Sequence, residues 1–160
     1  MTADLDPRSL DTGTLALFAG QAAAAQVQAS LSEDGFGDLR MSHGYLFQHL
    51  IVGEPTITEL ATHLSMTQQG ASKAVAELER LGYCERTPDP SDARIRRIRL
   101  TSRGRAAVAA ARRARAALET RLAARFGESH LAAQRTFLTE LLAELGGIEA
   151  VERRAVLPPH

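Results

Sequence analysis

The sequence predicts a mainly α fold with one small β-hairpin (α+β). Two observations carry this: apolar residues recur every three or four positions along most of the chain, and two short alternating runs flank a turn-rich stretch past its middle. A length of 160 residues fits one domain with helical extensions. With 44% apolar and 24% charged residues, the chain can bury an ordinary core. Cys84 is the single cysteine, which excludes a disulfide framework and Cys-clustered zinc. No apolar run approaches the ~20 residues of a membrane span. The opening MTADLDPRSLDTG is acidic where a signal peptide is basic, so a cytoplasmic protein with no membrane partner is expected.

From Ser9 to Ser30, the residues Leu15, Phe18, Ala22, Ala25 and Ala29 form one helical stripe, broken by Glu33 through Asp38. Ser42 is placed to cap a short helix through Leu50, with Leu46 and Leu50 inward, and Gly53-Glu54-Pro55 ends it. A further short helix carries Leu60, Ala61 and Leu64. Thr56 and Glu59 have capping-box spacing there, with Thr58 an equal candidate for the N-cap. After Ser65-Met66, Thr67 caps a helix to about Leu81 whose inward stripe is Ala71, Val75, Leu78 and Leu81, and Gly82 stops it. Two helices joined by so short a turn make a helix-turn-helix. Strands are expected at Tyr83–Thr87 and Arg96–Leu100, joined by Pro88 through Arg94. Thr101 caps a long helix with the seam Ala107, Ala111, Ala114, Leu118 and Leu122, ended by Gly127. A last helix from Ser129 carries Leu131, Leu138, Leu141, Leu142 and Leu145 to Gly146-Gly147. The tail ending Leu157-Pro158-Pro159-His160 is expected to be loose.

The net charge of zero hides a strong asymmetry. Residues 1–67 sum to −6, residues 68–115 to +7 and residues 116–160 to −1. A cationic middle between acidic flanks suits a polyanion partner. The outward side of the helix after Thr67 offers Gln68, Gln69, Gly70, Ser72 and Lys73, with no acid between Thr67 and Ala76. Such a helix can read base edges from its N-terminal turns, glutamine pairing with adenine, and Gly70 would let the backbone approach DNA closely. Arg94, Arg96, Arg97, Arg99, Arg103 and Arg105 put six guanidinium groups into twelve residues. On a hairpin, that tip can enter a minor groove and hold phosphates, with Asp92 placed to orient Arg94.

The segment from Ile57 to Gly104 resembles the winged helix of MarR-type transcriptional regulators. The residues that carry the likeness are Glu59-Leu60-Ala61 with Leu64, Thr67 through Tyr83, Asp89-Pro90-Ser91-Asp92-Ala93-Arg94, and Leu100-Thr101 followed by Gly104. The wing, Asp-Pro-x-Asp-x-Arg closing on Leu-Thr, is the specific part. The resemblance covers about 10–147. It implies a homodimer on a pseudopalindromic double-stranded DNA operator, usually a repressor. It implies base contacts from Gln68, Gln69, Ser72 and Lys73 beside the cap Thr67, and a minor-groove contact from Arg94 supported by Asp92, with Arg96 and Arg97 beside it. The expected division is an N-terminal dimerisation helix at 9–34 and a winged lobe at 39–100 (recognition helix 67–81, wing 84–100). C-terminal dimerisation helices follow at 101–147, with a flexible tail at 148–160. Pairing the terminal helices across a two-fold axis would bury their seams and set two recognition helices about one DNA turn (~34 Å) apart. An intrachain three-helix bundle is the alternative.

The family's usual switch is a small effector, and Phe18, His43, Tyr45 and Phe47 are candidate lining residues. No cofactor or metal is expected. His43 and His49 lie six residues apart on one helix, not at ligand-pair spacing, and His63 sits on another, so neither a metal site nor an enzyme is favoured. Cys84 reads as a small core residue, with a redox role open. The rival function is an Arg-rich helical protein that binds an acidic protein or RNA.

Overall fold

A computed structural model describes residues 6–155. After a short turn at Pro7–Ser9, α1 spans Thr12–Leu31, and the Asp11 carboxylate accepts from the Thr14 N–H at 2.9 Å. The helix widens at Ser32–Phe36, where Gly35 takes φ 86° and turns the chain. There follow α2 (His43–Leu50), α3 (Ile57–His63) and α4 (Gln68–Arg80). The antiparallel pair β1 (Cys84–Pro88) and β2 (Arg96–Leu100) comes next, with Cys84 opposite Leu100 and Pro88 opposite Arg96. Finally α5 (Ser102–Phe126), α6 (Glu128–Glu144) and α7 (Ile148–Glu152) complete the described chain.

The winged lobe has its own core. Leu60, Ala71, Val75, Leu78, Tyr83 and Ile98 are fully buried, each apolar one contributing about 1.5–3 kcal/mol by burial where its side chain is large. Its helices start as the sequence dictates. Thr56 is the N-cap of α3: it completes a capping box with Glu59, which settles the choice against Thr58. Thr67 caps α4 and Thr101 caps α5, each hydroxyl accepting an N–H three residues on, from Gly70 and Gly104. Ser42 precedes α2, but its side chain makes no capping bond. Gly82, at φ 80°, ends the turn after α4.

The join to α5 is tight. Thr101 donates its N–H to the Tyr83 carbonyl at 3.1 Å, and a Cβ on Gly104 would lie 2.1 Å from that same oxygen. Around Tyr83, the Asp38 carboxylate accepts the phenol O–H, and Arg103 donates to Asp38 at 3.1 Å while its guanidinium lies 4.7 Å from the ring centroid. Phe36 packs on both this core and the smaller one formed by Val27, Leu31 and Ala110. Burial and the bond to Asp38 push the Tyr83 phenol up to about 12.

The terminal helices differ from expectation. The stripe expected inward on α1 faces out, with Leu15 at 45% and Phe18 at 47% exposure and Ala22, Ala25 and Ala29 exposed. Val27 and Leu31, with half-buried Ala23 and Ala24, lie toward α5 instead. An alanine-rich helix is apolar nearly all round, so its period fits more than one face. On α5 the expected seam holds, from buried Ala107 through half-buried Ala111, Ala114, Leu118 and Leu122. After Gly127 (φ 87°), α6 folds back along α5, with Arg135 donating to Glu119 at 2.6 Å. No residue of α6 is buried, and the expected inner residues Leu138 and Leu145 are 46% and 72% exposed. The stretch 148–160 is not a loose tail throughout. It includes α7, and Arg154 donates to Gln48 on α2 at 3.0 Å. The expected loose end at 156–160 lies outside the described residues.

Candidate nucleic-acid interface

The beginning of α3 ties the first turn of α4 to the wing. Gln68 donates from Nε2 to the Thr58 hydroxyl at 3.3 Å, while the neighbouring Glu59 carboxylate lies 3.7 Å from Arg97 Nη1 on β2. The Ile98 N–H on that strand donates to the Pro55 carbonyl at 2.9 Å, just before α3. The α4 N-terminus and the base of the wing therefore share one edge of the lobe. Along it Thr67, Gln69 and Lys73 are exposed and Ser72 is half-buried. A Cβ on Gly70 would sit 3.2 Å from the Thr67 hydroxyl, so the glycine makes room for the cap. The first turn of α4 carries no acid.

The wing is knotted by Asp89. Its carboxylate, nearly inaccessible at 7% exposure, accepts from the Ser91 N–H and hydroxyl and from Arg97 Nε. These bonds, Ser91's above all, hold the Asp89 carboxyl well below the usual carboxylate range. Arg97 also donates to the Glu54 carbonyl at 3.0 Å. Its fork is thus occupied within the chain and braces the wing against the α3 side. Asp92 acts differently from expectation too: its carboxylate accepts the backbone N–H of Arg94 at 2.9 Å, shaping the turn instead of orienting the guanidinium.

The six arginines therefore divide. Arg97 is engaged by Asp89; Arg99 faces its register partner Glu85 at 2.8 Å; Arg103 holds Asp38; and Arg105 donates to the Leu100 carbonyl at 2.7 Å. Among the described residues, the side chains of Arg94 and Arg96 at the tip, and of Lys73 on α4, make no hydrogen bond or ion pair, and all three residues are exposed. Sequence reasoning missed the knot at Asp89, although an Asp two residues before a Ser is the signal of such a turn.

The candidate lining residues also divide. His43 and Phe47 face a cleft of about 710 Å³ between α1, α2 and α5; Tyr45 lines a separate shallow hollow near Arg154, and Phe18 stands exposed on α1. The histidines do not converge: His49 stacks on His63 with centroids 4.9 Å apart, while His43 Nε2 lies 3.6 Å from Glu77. Burial, then His63 and Arg154, push the His49 imidazole below its ordinary value. Cys84 is buried in the lobe, and that burial pushes its thiol up to about 12, so it is protonated at neutral pH. No helix among the described residues is long and apolar enough to cross a membrane.

No curated protein matches the chain by sequence. Residues 38–95 match the MarR family model. Solved structures are similar over nearly their whole length. A variant of S. aureus MepR is 21% identical, with 85% of this chain and 99% of that one covered and a TM-score of 0.68. A second MepR variant, bound to an oligodeoxyribonucleotide, is 21% identical over 86% and 99% of the two chains at a TM-score of 0.62. Wild-type apo MarR from E. coli is 21% identical over 83% and 98%, with a TM-score of 0.61. Over residues 38–95 the chain is thus similar to the MarR family, and its fold is the winged helix-turn-helix of the solved structures it matches.

Proposed function

We propose that the chain is a homodimeric, sequence-specific DNA-binding transcriptional regulator in the cytoplasm, a repressor released by a small effector. The observation that carries this reading is the shared edge. The acid-free start of α4 and the wing flank the beginning of α3, and among the described residues the side chains of Lys73 on α4 and of Arg94 and Arg96 on the wing are left without partners. Cations with no internal counter-ion, beside exposed glutamine, suit phosphate positioning and base reading together. Thr67, Gln68, Gln69 and Ser72 read the major groove from α4. Arg94 enters the minor groove, held by a turn that Asp92 and Asp89 shape, and Arg97 serves by bracing the wing. The DNA-bound MepR variant supports the same mode of binding.

The apolar residues left outside on the terminal helices support the homodimer. Leu15, Leu17 and Phe18 on α1, Phe126 at the end of α5, and Phe137 and Leu138 on α6 are each about half exposed. A second copy would cover these surfaces and place two lobes on successive turns of one DNA face. Selection from a randomised duplex library tests the reading. The wild-type chain should recover a two-fold-related site of roughly 20 base pairs. Gln69→Ala should loosen base preference more than overall affinity, and Arg94→Ala should lower affinity across sequences. Recovery of single-stranded RNA, or of no enriched duplex, would favour the Arg-rich interaction protein instead.

A further inference from the structure

Of the 19 cationic side chains in the sequence, 18 are arginines and a single one is a lysine, Lys73. The arginines do the bracing: Arg97 holds Asp89, Arg103 holds Asp38, and Arg40 pairs with Glu77 on α4. Such pairs suit a planar guanidinium, whose fork meets a carboxylate and whose charge is permanent. The lysine stands apart from this work. It lies exposed in the second turn of α4, in a stretch with no acid from Thr67 to Ala76. The carboxylate that a lysine here would meet one helical turn on is that of Glu77. Both Glu77 oxygens are engaged elsewhere: one pairs with Arg40, and the other lies 3.6 Å from His43 Nε2. One turn back stands Gln69, which carries no charge. Among the described residues, the Lys73 side chain makes no hydrogen bond or ion pair, which leaves its amine free.

We propose that Lys73 is an acylation site: its amine accepts an acetyl group from a small activated donor, and the loss of charge weakens the hold of α4 on DNA. The second half rests on the DNA-binding reading above. A guanidinium effectively never deprotonates, whereas a lysine ammonium can release a proton, and the free amine is a nucleophile. The uncharged Nζ attacks the acyl carbonyl carbon. A C–N bond forms, and the C–O bond of an acyl phosphate, or the C–S bond of an acyl thioester, breaks. Phosphate or thiolate leaves with the electron pair, and the surplus proton on nitrogen passes to water. The product is a neutral amide, with one positive charge fewer on α4. Acetyl phosphate and acetyl-coenzyme A are both anions, and the acid-free start of α4 does not repel them. DNA and donor approach the same amine, so bound DNA shields it.

The full chain is treated with acetyl phosphate in one arm and acetyl-coenzyme A in another, and adducts are mapped by peptide mass spectrometry. Affinity for the DNA upstream of the coding region is measured before and after. At least one donor modifies Lys73, and the arm that does so identifies the donor class. The modified wild type binds DNA severalfold more weakly, and its slope of log affinity against log salt falls by about 1 per modified subunit. Lys73→Arg, whatever its own affinity, is unchanged by the same treatment, which separates Lys73 from the α-amino group of the chain. A duplex at about ten times its Kd slows modification of Lys73 about tenfold, measured against a short lysine peptide in the same tube. No adduct at Lys73 from either donor, unchanged DNA affinity of the modified wild type, or equal weakening of Lys73→Arg by treatment overturns the proposal. Should Lys73→Arg bind no DNA, shielding by the duplex decides, and an unslowed rate overturns it. If Lys73 is modified and the untreated chain binds no DNA, the DNA-binding reading fails and the acylation site stands.

Discussion

The winged lobe and the terminal helices solve the burial problem differently. Between Leu39 and Leu100 the lobe closes on itself, with large side chains such as Leu60, Leu78 and Ile98 wholly removed from solvent. Beyond Gly127, neither α6 nor α7 buries a residue, and α1 shows Leu15, Leu17 and Phe18 to solvent. The lobe is a finished object. The helices around it have the composition of a core without the enclosure of one, as expected of a surface completed by another copy of the chain. On the proposed dimer, function divides along the same line: the lobe carries the cationic edge and the helices would fix how far apart two such edges stand.

The largest effect should come from breaking the lobe where it meets α5. Gly104→Ala drives a Cβ into the Tyr83 carbonyl and should cost about 3 kcal/mol or more, lowering Tm by roughly 6–12 °C in a thermal melt. Leu60→Ala should cost about 2–5 kcal/mol. Leu138→Ala, by contrast, should leave the lobe's stability unchanged and act on association only.

Charging the outer surface sharpens the contrast. Phe18→Asp combined with Leu138→Asp should give a single subunit in sedimentation velocity, with the near-ultraviolet signature of the lobe retained. Loss of folding instead would mean that those residues serve the lobe itself. Within the wing, Arg94→Ala should weaken DNA binding about tenfold and reduce the slope of log affinity against log salt by about 1, with Tm unchanged. Arg97→Ala should lower Tm and raise protease sensitivity at the wing, because Asp89 loses its cationic partner.

The smallest expected effect is a response to pH. The His49 imidazole sits below its ordinary value of 6.5, so the unfolded chain takes up a proton that the folded chain refuses. Stability should therefore fall as pH drops through 6.5. A second loss should follow at lower pH, once the depressed carboxyls of Asp38, Glu59 and Asp89 are protonated. A variant His49→Phe, followed by thermal melts across pH, should lack the first loss and keep the second.

Apart from α2, whose Ser42 makes no capping bond, the helices of the lobe and the start of α5 were legible because each begins on a local device. Thr56 with Glu59, Thr67 and Thr101 satisfy helix N–H groups within three residues, and the alternation of Ile98 and Leu100 sets which side of β2 turns inward. The division among the arginines was not legible. Whether Arg97 meets Asp89, Glu59 and the Glu54 carbonyl depends on contacts up to 43 residues apart in sequence. The same holds for Arg40 and Glu77, 37 residues apart, where charge pattern names candidates without pairing them. Periodicity found an outer stripe of α1 and missed the inner one because alanine satisfies either. Beyond Gly147, the five-residue α7 is too short for a periodic signal and owes its position to the return of Arg154 to α2.

Footprinting on the DNA upstream of the coding region, repeated from low to high salt with protein stoichiometry measured alongside, tests the central claim most directly. The account predicts two subunits protecting one two-fold site of roughly 20 base pairs, with log affinity falling linearly against log salt. A lone subunit in solution that protects no duplex at any salt concentration would contradict it.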